Sequence, residues 1–318
     1  GVFVGIFAYC IVVLGAIRTD HVQFVPSLAV LVGAILPLVG IGFLIHFIHH
    51  TALAIQATNI VANVADETLE AVDRLFPRGA GGSEGPDVPA TTLPDDWAPV
   101  AAERTGYVQR IDADALLDLA AAHDVVVRSE VRVGEFVVAG GPLASVSGGS
   151  PCDDAFARAL RRGYAIDRQR TVEQDPAWGI QQIVDVAAKA LSPGINDSTT
   201  AVTCVEYLVP IVSRLAQCRF PPAGRQRDGE VRLVLPGRGL DELVALAFDE
   251  IRHWSAGNPA VLRQLLAAIE QLSAAGADVP DAGLDTHFHA TVATIERTIE
   301  SPHDRRRLLD YAGAVRTR

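Results

Sequence analysis

Two groups of residues have the types and spacing to do chemistry. The denser one is Arg168-Gln-Arg170-Thr171-Val-Glu173-Gln174-Asp175, followed by Asn196-Asp197-Ser198-Thr199-Thr200. Both fall where helices are predicted to begin. Free backbone N–H groups at a helix start attract anions, and Arg168 or Arg170 would add a guanidinium. Asp175, Asn196 and Asp197 could instead offer oxygen ligands to a cation. Capping and turn formation are the ordinary duties of such residues and stand beside both readings. The candidate ligand set is therefore Arg168, Arg170, Gln174, Asp175, Asn196 and Asp197. The second group is His46, His49 and His50. Imidazoles four apart on a helix share a face and can chelate one metal. No acidic third ligand lies nearby in sequence, and interfacial histidines can equally bond to headgroups, water or a neighbouring helix.

Other signals are weaker. Asp185 and Lys189 are four apart on one predicted helix, the spacing of a surface ion pair. His287 and His289 cannot share a helical face, which argues against a metal pair. No GxSxG, HExxH, Walker A or CxxC pattern occurs. No catalytic residue and no cofactor are assigned.

The elements that must hold these groups start with apolar runs. Phe24 to Ile45 carries no charge; its 22 residues would span roughly 33 Å as a helix. Gly1 to Ile17 is equally apolar, and a short polar turn, 18–23, joins the two. The first run lacks the basic start and cleavage site of a signal peptide. The expectation is a transmembrane hairpin over 1–48, with spans 1–17 and 24–48. Pro37 should kink the second span, and Ala29/Gly33 has the small-xxx-small spacing of close helix contacts in lipid. The chain has no Met and opens inside an apolar run, so it is expected to be truncated at its N-terminus.

Nothing breaks the helical pattern after Ile45 until Pro77. Ile48, Ile55, Ala62, Leu69 and Phe76 recur every seven residues, with Thr51, Thr58, Ala65 and Val72 between them. This weak seam predicts a stalk helix over 49–76, packed on neighbouring helices or subunits. Residues 77–99 hold five Pro and four Gly and form the expected linker. A small β-rich unit is expected over 100–150, with a strand at Gly106–Ile111 and a helix capped by Asp112. Residues 151–318 are expected to be a mainly helical soluble domain. Its helices run from Asp153, from Pro176 at an N1 position, and from Ser198 after an Asn196 or Asp197 cap. Pro221 to Gly229 scans as a polar loop and Glu230–Leu235 as a strand. Four helices follow, near 240–256, 259–274, 284–300 and 304–315.

The 318 residues are 49% hydrophobic and 20% charged, with a mean hydropathy of +0.24, so the apolar residues are segregated. Disorder as the main state is excluded. The net charge of −11 disfavours nucleic acid as a partner. Cys152, Cys204 and Cys218 have no disulfide-framework spacing, which favours a reducing compartment and a cytoplasmic soluble part. The single Arg18 in the connecting turn pulls the other way.

The strings "VPSLAV", "IHFIHH", "TGYVQRID", "GEFVVAGGPL", "RQRTVEQDPAWGIQQIVDVAAKALSPGIND" and "STTAVTCVEYL" resemble a family of predicted bacterial membrane proteins, domain-of-unknown-function family 2254. The match runs from residue 1 into the C-terminal helices, with 164–208 the most specific stretch. The resemblance implies two further N-terminal membrane helices and no assigned activity. Ser198 stands where proline commonly follows "IND" in the family. "VGEFVVAGGPLASV" also resembles the second half of biotinyl- and lipoyl-type barrel-sandwich domains. Residues 1–188 contain no lysine to carry a prosthetic group, so that likeness implies fold alone.

The fold class expected is a mainly α membrane protein: a hairpin running into a stalk, a barrel-sandwich-like β unit, and a mostly helical soluble region. The function expected is a non-enzymatic, homo-oligomeric channel, transporter or sensor of the bacterial inner membrane, multi-pass, with a soluble regulatory domain. The partners are the lipid bilayer, further copies of the chain, and a small ion or anionic ligand. A membrane-tethered enzyme or metal-dependent hydrolase is one alternative; a scaffold binding a partner protein is the other.

Overall fold

A computed structural model of the chain describes residues 2–16, 27–54, 57–76, 95–148, 153–274 and 281–316. Within these ranges the side chains of 2–4, 16, 30, 46–54, 57, 281 and 282 lie outside the description. The chain divides into two units, Gly1–Ile60 and Val61–Arg318.

The first unit contains helices α1 (Val2–Ala16) and α2 (Ser27–Ala54). They pack through small residues. Tyr9 Oη donates to the Ala29 carbonyl at 3.3 Å, and Cys10 Sγ lies 4.0 Å from the Gly33 carbonyl. A Cβ at Gly33 would sit 3.8 Å from the Tyr9 ring. Helix α2 continues through Pro37 without interruption. Its Ser27–Ile45 stretch has mean hydropathy 2.7 and is 6% buried; it alone among the described helices has the length and composition to cross a membrane. The apolar part of α1, Gly5–Gly15, is shorter.

Helix α3 (Ala57–Leu75) carries the chain into the second unit. Its buried positions there are Val61, Ala65, Thr68 and Val72, a 4-3-4 spacing, with Ala71 beside them. Ala65 and Val72 of the expected seam are buried, whereas Val61 and Thr68 take the places of Ala62 and Leu69, which turns the buried face by roughly 50° around the helix. Ala62 and Leu69 are only half-buried. The seam joins an intrachain core with α6 (Pro176–Ala190), α7 (Ser198–Ala216), α8 (Leu240–Trp254), α9 (Pro259–Ala274), α10 (Asp281–Thr298) and α11 (Pro302–Arg316). Thr68 meets Gly179 of α6, where an added Cβ would overlap the Thr68 hydroxyl.

Two sheets form a second core with α4 (Ala113–Ala122) and α5 (Asp154–Arg162). One sheet has the order β1-β5-β3-β8-β7 and the other β4-β2-β6. Their strands are β1 (Trp97–Ala101), β2 (Gly106–Ile111), β3 (Val127–Ser129), β4 (Phe136–Val137), β5 (Pro142–Ser147), β6 (Tyr164–Asp167), β7 (Gly224–Arg227) and β8 (Glu230–Val234). Residues 100–148 do not close on themselves. β6 pairs antiparallel with β2, and β8 pairs parallel with β3 through Val127↔Leu233. β1 begins inside the stretch expected to be linker; as an edge strand it tolerates Pro99. β7 occupies the stretch expected to be a polar loop. It turns into β8 at Asp228 and Gly229, both with positive φ (53° and 83°), the demand of a tight hairpin.

Candidate functional site

Pro176 starts α6, and Asp175 holds the N-cap position without giving the helix a side-chain cap. Its carboxylate turns to Arg170 instead: Nη2 donates to Oδ2 at 2.6 Å and Nε at 3.2 Å. The pair is largely desolvated, with 18% of the Arg170 side chain and 5% of the Asp175 side chain exposed. The guanidinium also lies 4.5 Å above the Trp178 ring centroid. Gly134 backs onto this pair with φ +85°. A Cβ there would overlap Asp175 Oδ2 and come within 2.7 Å of Arg170 Nη2. Gln174 Oε1 accepts from the Ile111 amide at 3.1 Å, tying the helix start to β2. Arg168 is exposed, and its own amide donates to Asp167 Oδ1 at 2.7 Å.

The other predicted group lies at the far end of α6. Fifteen residues of helix separate the two, roughly 22 Å, so they do not converge on one ligand. Asp197 caps α7, accepting from the Thr199 and Thr200 amides at 3.1 Å each and from Thr200 Oγ1 at 2.6 Å. The Thr200 hydroxyl is the main reason its carboxyl is held below 3.8, with the Thr200 amide next. Asn196 adopts φ +50° and is exposed. It borders an open depression with Trp254 and Asn258. The backbone of His46, His49 and His50 belongs to α2; their side chains fall outside the described residues. Among the described residues no three His, Cys, Asp or Glu side chains gather as a metal site.

What does gather at the start of α6 is a cavity of about 310 Å³. Gln174 and Asp175 line it, joined by Arg132 from the β3–β4 connection, Arg225 of β7 and Arg238 from the segment before α8. Arg132 reaches Glu242 at 3.0 Å, and Arg238 approaches the same carboxylate at 3.8 Å. Arg225 has no carboxylate partner among the described residues, and its Nε is buried without a hydrogen bond. A buried donor left unmade costs on the order of 1–3 kcal/mol. The apolar part of its lining includes Leu75 and Phe76 at the end of α3. The three arginines lie far apart in sequence, so no local spacing announces them.

Two other buried groups are chemically quiet. Burial pushes the Tyr164 phenol up to about 12 and the Cys204 thiol likewise to about 12, so both stay protonated at neutral pH. His287 is pushed below 6.5 chiefly by burial, against the pull of Asp249 at 3.4 Å.

Residues 1–271 match the family model described as "Predicted membrane protein (DUF2254)". The chain is 32% identical over 303 residues to uncharacterized protein Rv1290c of Mycobacterium tuberculosis and, to the same extent, to uncharacterized protein Mb1321c of Mycobacterium bovis. Each alignment covers 92% of this chain and 57% of the relative, so the chain spans less than two thirds of these curated relatives. No solved structure matches.

Proposed function

The chain belongs to the DUF2254 family of predicted membrane proteins, and on that premise we propose that it is a multi-pass, homo-oligomeric protein of the bacterial inner membrane whose second unit is a ligand-responsive regulator of a channel, transporter or sensor. The α1–α2 hairpin would be the membrane part: Phe7, Leu14, Leu28, Leu38 and Ile45 are all more than half exposed, a surface suited to lipid. The second unit would lie in the cytoplasm, where its buried thiol Cys204 needs no oxidising partner. The observation that carries the regulatory reading is Arg225, without a carboxylate partner among the described residues, in the lining of a cavity that α3 helps to wall. An anion held by Arg132, Arg225 and Arg238 would bring together three segments beside Phe76. That supports a shift between states of the element that follows α2 in the chain.

Hydrogen exchange on the full chain in nanodiscs tests this, with and without hexyl phosphate. The expected result is altered protection in α3 as well as at the cavity rim. Protection confined to the rim, with α3 unchanged, would refute a regulatory role.

A further inference from the structure

Resting on the reading of the cavity as a ligand site, we infer that its ligand is a small amphiphile, a single phosphate or carboxylate head joined to a short apolar body. The head side is set by charge. Arg132 pairs with Glu242 at 3.0 Å and lies 3.9 Å from Glu135, and Arg238 lies 3.8 Å from Glu242, so the charge left unmatched at the cavity is that of Arg225. Arg225 adds a third guanidinium whose buried Nε lacks an acceptor. The cavity's own acid, Asp175, is already held by Arg170 at 2.6 Å. Guanidinium forks match the paired oxygens of phosphate and carboxylate, which a neutral molecule does not offer.

The body is set by the apolar lining. Phe76 and Phe220 meet there with ring centroids 5.1 Å apart, tilted by 44°. Val133 and Leu243 are also in the apolar lining. A bare inorganic anion would leave that lining in contact with water and forgo the gain from covering it. The volume, about 310 Å³, is at the small end for ligand pockets. It suits a head with a short chain or one ring, and not a whole two-chain lipid. A soluble metabolite and the head region of a membrane lipid present the same chemistry.

The test uses the full chain in nanodiscs of zwitterionic lipid, titrated by calorimetry with inorganic phosphate, hexyl phosphate and hexanol. Hexyl phosphate should bind at least about tenfold tighter than phosphate, and hexanol should not register. Arg225→Ala should weaken hexyl phosphate by about tenfold or more, with Arg225→Lys intermediate. Val133→Asn should shrink the advantage of hexyl phosphate over phosphate while leaving phosphate itself unchanged. Equal binding of phosphate and hexyl phosphate would overturn the amphiphile and leave the anion site standing. Binding of neither would overturn the site itself. Hexanol binding as tightly as hexyl phosphate would overturn the role of the arginines. Repeating the titration in nanodiscs rich in anionic lipid separates the sources: competition identifies a lipid head, and unchanged affinity a soluble ligand.

Discussion

Removing the Asp175 carboxylate should cost far more than removing a comparable exposed one. Arg170 and Asp175 retain 18% and 5% side-chain exposure and meet at 2.6 and 3.2 Å. Taking one partner from a buried pair strands the other charge, which costs about 3–5 kcal/mol. Arg170 keeps some contact with water and its stack on Trp178, so Asp175→Ala should fall at the low end, about 3 kcal/mol. Asp175→Asn keeps one acceptor and should cost less. The control is Glu103→Gln: its bond to Arg161 is also short, 2.9 Å, yet Glu103 is 63% exposed. That loss should stay within about 1 kcal/mol. Urea unfolding of the detergent-solubilised chain, followed by tryptophan fluorescence, measures both, because Trp178 sits on the affected guanidinium. An Arg170→Met/Asp175→Leu double variant should regain part of the loss, since neither charge is then stranded. The reasoning fails if Asp175→Ala and Glu103→Gln cost the same, or if the double variant is as unstable as the two single losses added.

Gly179→Ala should destabilise by about 1–3 kcal/mol, because its methyl would overlap the Thr68 hydroxyl; Thr68→Ala in the same chain should recover part of this in a double-mutant cycle. Asp197→Ala should cost about 1 kcal/mol at neutral pH through loss of the α7 cap. Since the folded carboxyl is held below 3.8, the contribution is present above that value and disappears as pH falls through the lower, folded one. Acid titration of stability should therefore bring wild type and Asp197→Ala together. His287 is lowered by burial, so folding favours its neutral form. Its contribution is full above 6.5 and declines as pH falls below 6.5 toward the folded value. His287→Gln should flatten the urea midpoint across that window; an unchanged slope would show that the histidine is not the titrating group.

Local signals were legible because the residues that set them are neighbours in the chain. Asp112, Asp153 and Asp197 each cap the helix that follows, and Pro176 starts α6. At Asp175 the same logic was incomplete. Its sequence context is that of a cap, but Arg170 and the bare backbone of Gly134 draw the carboxylate elsewhere. β7 had a signal in the Asp228-Gly229 turn; its polar, exposed faces gave no alternation to support it. The parallel pairing of β3 with β8 joins residues about a hundred positions apart and leaves no pattern in either strand. Arg132, Arg225 and Arg238 are invisible for the same reason: each sits alone among ordinary loop or edge-strand residues.

The rotation of the α3 seam bears on how a ligand could act. Positions 61/62, 64/65, 68/69 and 71/72 each offer two small or apolar neighbours, so periodicity leaves the register open within one residue. Packing decides it, because Thr68 is the side chain that fits over the bare backbone of Gly179. Asp73 is then bonded to Arg214 of α7, and Arg74 donates to the Glu173 carbonyl at 3.0 Å. From Val61 onward, α3 is a member of the helical core and not a free stalk. Phe76, at its end, shares the cavity wall with Phe220. A ligand pressing on Phe76 would therefore push against an interlocked element, and close-packed interiors transmit such a push instead of absorbing it locally. Regulation through this cavity would accordingly move α3 together with the helices it is keyed into, a shift of packed elements and not the melting of one turn.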